Sequence, residues 1–104
     1  LVPCIQTLAH LECVLRWQEY ADVRDIDNIL LVDEPKTYEL IRDMFCQMAK
    51  SLHSRRINIG MDEAHMLGLG KHLERYGYQD RMQIMLRHYR RVIDIAHEFG
   101  YDVV

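Results

Sequence analysis

The chain has 104 residues, 49% of them hydrophobic and 28% charged, which suits one small globular domain with a modest core and excludes a disordered segment. A net charge of -3, with lysines and arginines scattered along the chain, excludes the basic stripe of a nucleic-acid binder. Apolar runs are too short for a membrane helix and no signal-peptide pattern opens the chain, so no membrane partner and a cytoplasmic location are expected.

The first expected element is a short buried strand over residues 2–6, "VPCIQ". "HLECVLRWQEY", residues 10–20, follows as a short helix or turn with Leu11, Val14, Leu15 and Trp17 available to pack. Residues 21–34 read as a connection. Pro35 suits a first helical turn, Asp33 or Glu34 complements the helix dipole, and Ile41, Met44, Phe45, Met48, Ala49 and Leu52 recur at helical spacing. Arg56 to Met61 reads as a strand ending at Asp62 and Glu63, with Gly68 and Gly70 punctuating the loop beyond. A helical turn is expected over Lys71 to Tyr76. The final helix carries Met82, Met85, Leu86, Tyr89, Val92, Ile93 and Ala96 on one expected core face and stops at Gly100, after which "YDVV" begins another strand.

Strand, helix, strand, helix, strand in one sheet implies parallel crossovers, an α/β arrangement. In such folds chemistry gathers at the carboxyl edge of the strands, where His10 and the Asp62–Glu63 pair both fall. The chain begins "LVPCIQ" without an initiator Met and stops at "YDVV", so it is read as a piece of a longer protein. Cys4, Cys13 and Cys46 form no CxxC pair and cannot all be bridged, which favours a reducing compartment. Each is expected to act as a small buried hydrophobe.

Residues 62–65, "DEAH", also match the acidic box of a nucleic-acid-dependent ATPase, in which Asp helps to hold magnesium and Glu polarises water. That chemistry needs an upstream GxxxxGK[ST] loop to hold the phosphates. The only Gly-Lys here, Gly70-Lys71, lies downstream and is followed by His72. A metal site built on Asp62, Glu63 and His65 would lack the HExxH or clustered Cys/His spacing that supplies further ligands, so neither metal nor organic cofactor is expected. His53, His72, His88 and His97 are expected to be solvated or at the edge of the core, and His65 to be a loop histidine that orients its neighbours.

"VPCIQTLAHLE", residues 2–12, followed by "RRINIGMDEAHMLGLG", residues 55–70, resembles glycoside hydrolase family 20, the β-N-acetylhexosaminidases, in its hexosaminidase D-like branch. The family pattern His-x-Gly-Gly-Asp-Glu at a barrel-strand end falls in register with Asn58, Ile59, Gly60, Met61, Asp62 and Glu63. A Gln-Thr-x-Gly-His element is matched by Gln6, Thr7, Leu8, Ala9 and His10. Two positions depart: Met61 stands for a glycine, and Asn58 for a histidine that in the family supports the acid through a polar relay.

The resemblance implies that residues 1–104 are a segment of a (β/α)8 TIM-barrel catalytic domain with about three parallel strands, short of the roughly 250 residues of a complete barrel. It implies removal of terminal GlcNAc or GalNAc by a substrate-assisted, retaining mechanism, in which the substrate's acetamido oxygen attacks the anomeric carbon. Glu63 would be the general acid and later the base; Asp62 would orient the acetamido group. His10 would line the sugar pocket, with Gln6, Asn58 and His65 in support. Consecutive strand residues point to opposite faces, so the pair can converge on one sugar only if the backbone leaves strand geometry there. The segment alone is expected to be inactive and to self-associate or pair with the rest of the barrel. A non-catalytic structural fragment is the alternative reading.

Overall fold

The structure is a computed structural model that describes residues 3–11, 15–51, 54–61 and 64–103. Its regular elements are a 3₁₀ helix (Gln18–Val23), α1 (Pro35–Ser51), β1 (Arg56–Ile57), α2 (Lys71–Tyr76), α3 (Arg81–Glu98) and β2 (Asp102–Val103). β1 pairs with β2 in parallel, Arg56 opposite Asp102 and Ile57 opposite Val103. On the other side of β1 the segment from Pro3 to Thr7 runs parallel: Cys4 bridges Asn58, and bonds run from Asn58 N to Pro3 O, Ile5 N to Asn58 O and Thr7 N to Gly60 O. Three chain segments thus lie side by side, with 56–60 in the middle.

The start of α1 and both ends of α3 have local causes. Pro35 opens α1, and the Thr37 hydroxyl, buried, donates to Leu31 O at 2.6 Å. Asp80 caps α3 by accepting from the Met82 and Gln83 amides. At the other end Gly100, at φ 81°, gives its N–H to His97 O while the Tyr101 N–H reaches back to Ala96 O, which closes the helix and turns the chain into β2.

The core has two parts. Ile41 and Phe45 of α1 meet Ile57 of β1, Val92 and Ile95 of α3, and Tyr101 in the larger cluster. Full burial of a side chain the size of Phe45 contributes about 1.5–3 kcal/mol. A smaller cluster of Leu8, Ala9, Ile29, Val32, Ala64, Leu67 and Ile84 lies under the loops of the carboxyl edge.

Several expectations are corrected. The first strand is not buried: Cys4 is exposed and Ile5 and Gln6 are half-buried, because this segment pairs only with 58–60 among the described residues. Cys46 is exposed as well, on the outer face of α1, and Cys13 lies outside the described residues. Residues 21–34 hold more than a connection: Arg24 and Leu30 form an antiparallel bridge, and Ile29 to Val32 are buried. Leu11 and Leu15 are buried as expected, but Trp17 is 54% exposed, and Val14 falls outside the described residues. Ala49 faces outward, and Leu52 is not among the described residues.

α3 is turned relative to the expected face. Its buried row is Ile84, His88, Val92, Ile95 and Ala96, whereas Met82, Leu86 and Tyr89 are exposed. Both rows are apolar at helical spacing, and the polar contacts of His88 fix which one goes inward. His72 is buried too, so neither it nor His88 is a solvated or edge histidine, while His97 is exposed and His53 lies outside the described residues.

Candidate functional site

Asp62 and Glu63 lie outside the described residues, so the site is defined by what flanks them. Upstream, Gly60 has φ 44°, a left-handed conformation that takes the backbone out of strand geometry two residues before the pair. Its N–H donates to Asn58 Oδ1 at 2.9 Å, so Asn58 serves its own strand end. A Cβ on Gly60 would stand 3.0 Å from both Ile5 O and Gln6 Oε1. Gln6 Oε1 is buried and accepts no hydrogen bond among the described residues, and Gln6 and Gly60 are close neighbours at the edge.

Thr7 ties the two motif segments together. Its amide donates to Gly60 O and its hydroxyl to Ile59 O. Thr7 O in turn accepts from His88 Nε2 at 2.6 Å, and the Tyr38 hydroxyl donates to His88 Nδ1 at 3.0 Å. The carbonyl partner requires the proton on Nε2, leaving Nδ1 as acceptor. Burial pushes the imidazole down to about 4; the Thr7 carbonyl and the charge of Asp33 favour the cation, and Arg91 opposes it. His88 is a neutral brace between helix and strand end.

A second polar knot lies beside it. Arg87 holds Asp33 through Nη2–Oδ2 at 2.7 Å and Nε–Oδ1 at 3.3 Å, and His72 Nε2 lies 3.1 Å from Asp33 Oδ2. Burial raises the Asp33 carboxyl, but hydrogen bonds from Arg87 and His72, with their charges, outweigh it and hold the group below its ordinary range. Asp33 also adopts φ 71°, and its amide donates to the Tyr38 hydroxyl at 3.3 Å, so the two knots touch.

Downstream of the pair, Ala64 and Leu67 are buried and the chain turns through Gly68 at φ 84°. Asp25, 6% exposed, accepts from the Gly68 amide at 2.7 Å and from the His72 amide at 2.9 Å. His65 is exposed, and its carbonyl accepts from Arg81 Nη1. His10 is exposed at φ 59°, where the chain leaves the strand. Beyond the edge, a cleft of about 260 Å³ is lined by Asn58, Gly60, Met61, Met85, Leu86 and Tyr89.

The structure therefore brings Gln6, Thr7, Asn58 and Gly60 together and places His10 at the end of the same segment. His65 sits farther along the outgoing loop. Sequence reasoning gave no site role to Asp25, Asp33, His72, Arg87 or His88, and named Thr7 only as part of the "QTLAH" element. Only "ILLVDE", residues 29–34, carries a signal: an apolar run stopped by two acids, as at a strand end.

In class, this is an α/β layer with a small parallel sheet whose two motif-bearing segments end side by side at the carboxyl edge. No family model matches the chain. It is 30% identical over 100 residues to hexosaminidase D of Homo sapiens, a match covering 88% of this chain and 20% of that protein. In fold it is similar to the crystal structure of a GH20 exo-β-N-acetylglucosaminidase from Vibrio harveyi in complex with N-acetylglucosamine. The TM-score is 0.75 at 18% identity, over 98% of this chain and 19% of that one. The chain thus spans about a fifth of the length of these relatives. It is a partial domain of the glycoside hydrolase family 20 kind. Among the described residues no helix is long and apolar enough to cross a membrane.

Proposed function

We propose that residues 1–104 are a segment of a (β/α)8 barrel from a retaining glycoside hydrolase that removes terminal N-acetylhexosamine with the help of the substrate's own acetamido group. The observation that carries this reading is the adjacency of the two motifs: the strand ending in "QTLAH" is bonded through Thr7 to the strand that leads into Asp62 and Glu63. Adjacent strand ends at a carboxyl edge are where barrel enzymes assemble their sites from different strands.

In this reading Glu63 protonates the leaving oxygen and then activates water. Asp62 orients the acetamido group and stabilises the charge that develops on its nitrogen. Ionised Asp62 beside Glu63 disfavours a second negative charge and keeps a proton available near neutral pH. The left-handed turn at Gly60 supports convergence of the two consecutive side chains on one side of a sugar. His10 lines the sugar pocket, and Gln6, Asn58 and His65 support the strand ends and the outgoing loop. The reaction uses no metal and no organic cofactor. The segment alone lacks the walls that would exclude water and hold the ring, so it is inactive and associates through its open edges with itself or with the rest of the barrel.

The test is Glu63→Gln in the full-length enzyme. Activity on alkyl N-acetylhexosaminides, whose leaving groups need a proton, is expected to fall about 10²- to 10⁴-fold, and activity on activated aryl glycosides far less. A thiazoline mimic of the cyclised intermediate should inhibit the wild type. Efficient cleavage of the matching 2-hydroxy glycosides, without thiazoline inhibition, would refute the substrate-assisted reading.

A further inference from the structure

We propose that Asp25 is a positioning residue for the acid pair, fixing the loop that leaves Asp62 and Glu63 through both of its carboxylate oxygens; the proposal rests on the reading given above. The residues immediately downstream of the pair form a loop, 64–70, that runs into α2 and has two glycines, Gly68 at φ 84° and Gly70, in its last three positions. Such a segment needs external ties to hold one conformation. Asp25 supplies them: Oδ2 accepts from the Gly68 amide, Oδ1 from the His72 amide, and the Asp25 carbonyl from the Lys71 amide at 3.1 Å.

Asp25 is itself anchored. Its amide donates to Ile29 O, Leu31 N donates to Val23 O, and Leu30 N donates to Leu8 O, so the 25–29 turn is fastened to the segment that carries the "QTLAH" motif. Burying a carboxylate is costly unless it is hydrogen-bonded, and here one oxygen is used on the loop and the other on the first turn of α2 that the loop enters. Gly70 permits the approach, since a Cβ there would run into the Asp25 carbonyl and Ile26. With Gly60 held by Thr7 upstream, both described stretches around the pair are tied to one strand and its turn. An asparagine could not replace this aspartate, because its NH₂ would face one of the two amide donors.

The consequence for catalysis is geometric. A misplacement of about 1 Å in a reacting group can cost on the order of 10²-fold in rate. In the full-length enzyme, Asp25→Asn is expected to lower kcat by about 10- to 100-fold on alkyl N-acetylglucosaminides, which depend on the acid, with a much smaller loss on activated aryl substrates and little change in KM. Hydrogen exchange at the Gly68 and His72 amides should accelerate. Ile95→Val, a mild change in the distant core, serves as the control for lost stability and should leave the alkyl-to-aryl ratio at the wild-type value. An unchanged ratio in Asp25→Asn, or faster amide exchange with unchanged kcat, would overturn the positioning role while leaving the function of the pair intact. A wild-type enzyme that cleaves neither substrate would overturn the function of the pair, and the positioning role with it.

Discussion

The carboxyl edge and the outer flanks of this layer are built on different principles. At the edge, buried Asp25, His72 and His88, with Thr7 and Asp33, hold loops and strand ends through directional contacts. On one flank α3 turns Met82, Leu86 and Tyr89 outward, and on the other Leu40, Met44 and Met48 of α1 border a shallow groove with Ile5. Hydrogen bonds fix position because they fail when geometry slips, whereas apolar contact is non-directional. The part of the molecule that would do chemistry is therefore the part that is positioned tightly, and the flanks are free to accept whatever neighbour covers them.

The largest effect expected on this contrast comes from acid. His88 titrates near 4 when folded, against an ordinary value of 6.5, so between those values the unfolded chain binds the proton and the folded chain does not. Its contribution is thus complete above about pH 6.5 and is lost as pH falls toward about 4, a swing of roughly 3 kcal/mol. Chemical denaturation of the chain at pH 7 and pH 4.5 measures it; equal stability at the two values would remove His88 as a neutral brace. Asp33, depressed by Arg87 and His72, adds a loss in the same direction only below its unfolded value of 3.8.

Next in size is Asp33→Ala, which removes the partner of Arg87 and His72 and places alanine at a left-handed φ. A loss of about 1.5–3 kcal/mol is expected from the charge-assisted bonds, read from the urea midpoint. The smallest effect belongs to the flank. Met82→Gln with Leu86→Gln should change stability by no more than about 0.5 kcal/mol, yet reduce self-association of the 104-residue chain, as measured by its mass in solution. A large loss of stability instead would mean that this face is core after all.

The helices were legible because their signals are local: Pro35 and the Ile41–Phe45 spacing for α1, and Gly100 for the end of α3. The strand leading to the pair was legible for the same reason. What sequence could not choose was the buried side of α3, since Met82–Leu86–Tyr89 and Ile84–Val92–Ile95 are both apolar rows on one helix. Nor could it see Asp25, whose burial depends on amide donors 43 and 47 positions away. At the candidate site, "QTLAH" and "NIGMDE" were legible as motifs, and their pairing through Thr7 follows from the sheet. The buried polar braces were not, because a histidine in a helix reads as a surface residue until its carbonyl partner is known.

The brace formed by His88 also bears on how the protein finds a single native state. A helix with two apolar rows can roll about its axis and bury either one at similar hydrophobic gain, and two such arrangements would compete. Rolling α3 to bury Met82 and Leu86 would carry His88 out to solvent, leaving buried Thr7 O without its imidazole donor and the Tyr38 hydroxyl without its acceptor, a cost on the order of 1–3 kcal/mol for each buried group so deprived. One imidazole thus makes the wrong roll unfavourable, and His88→Leu is expected to give a chain that still folds, with reduced stability, and shows duplicated or broadened resonances for α3.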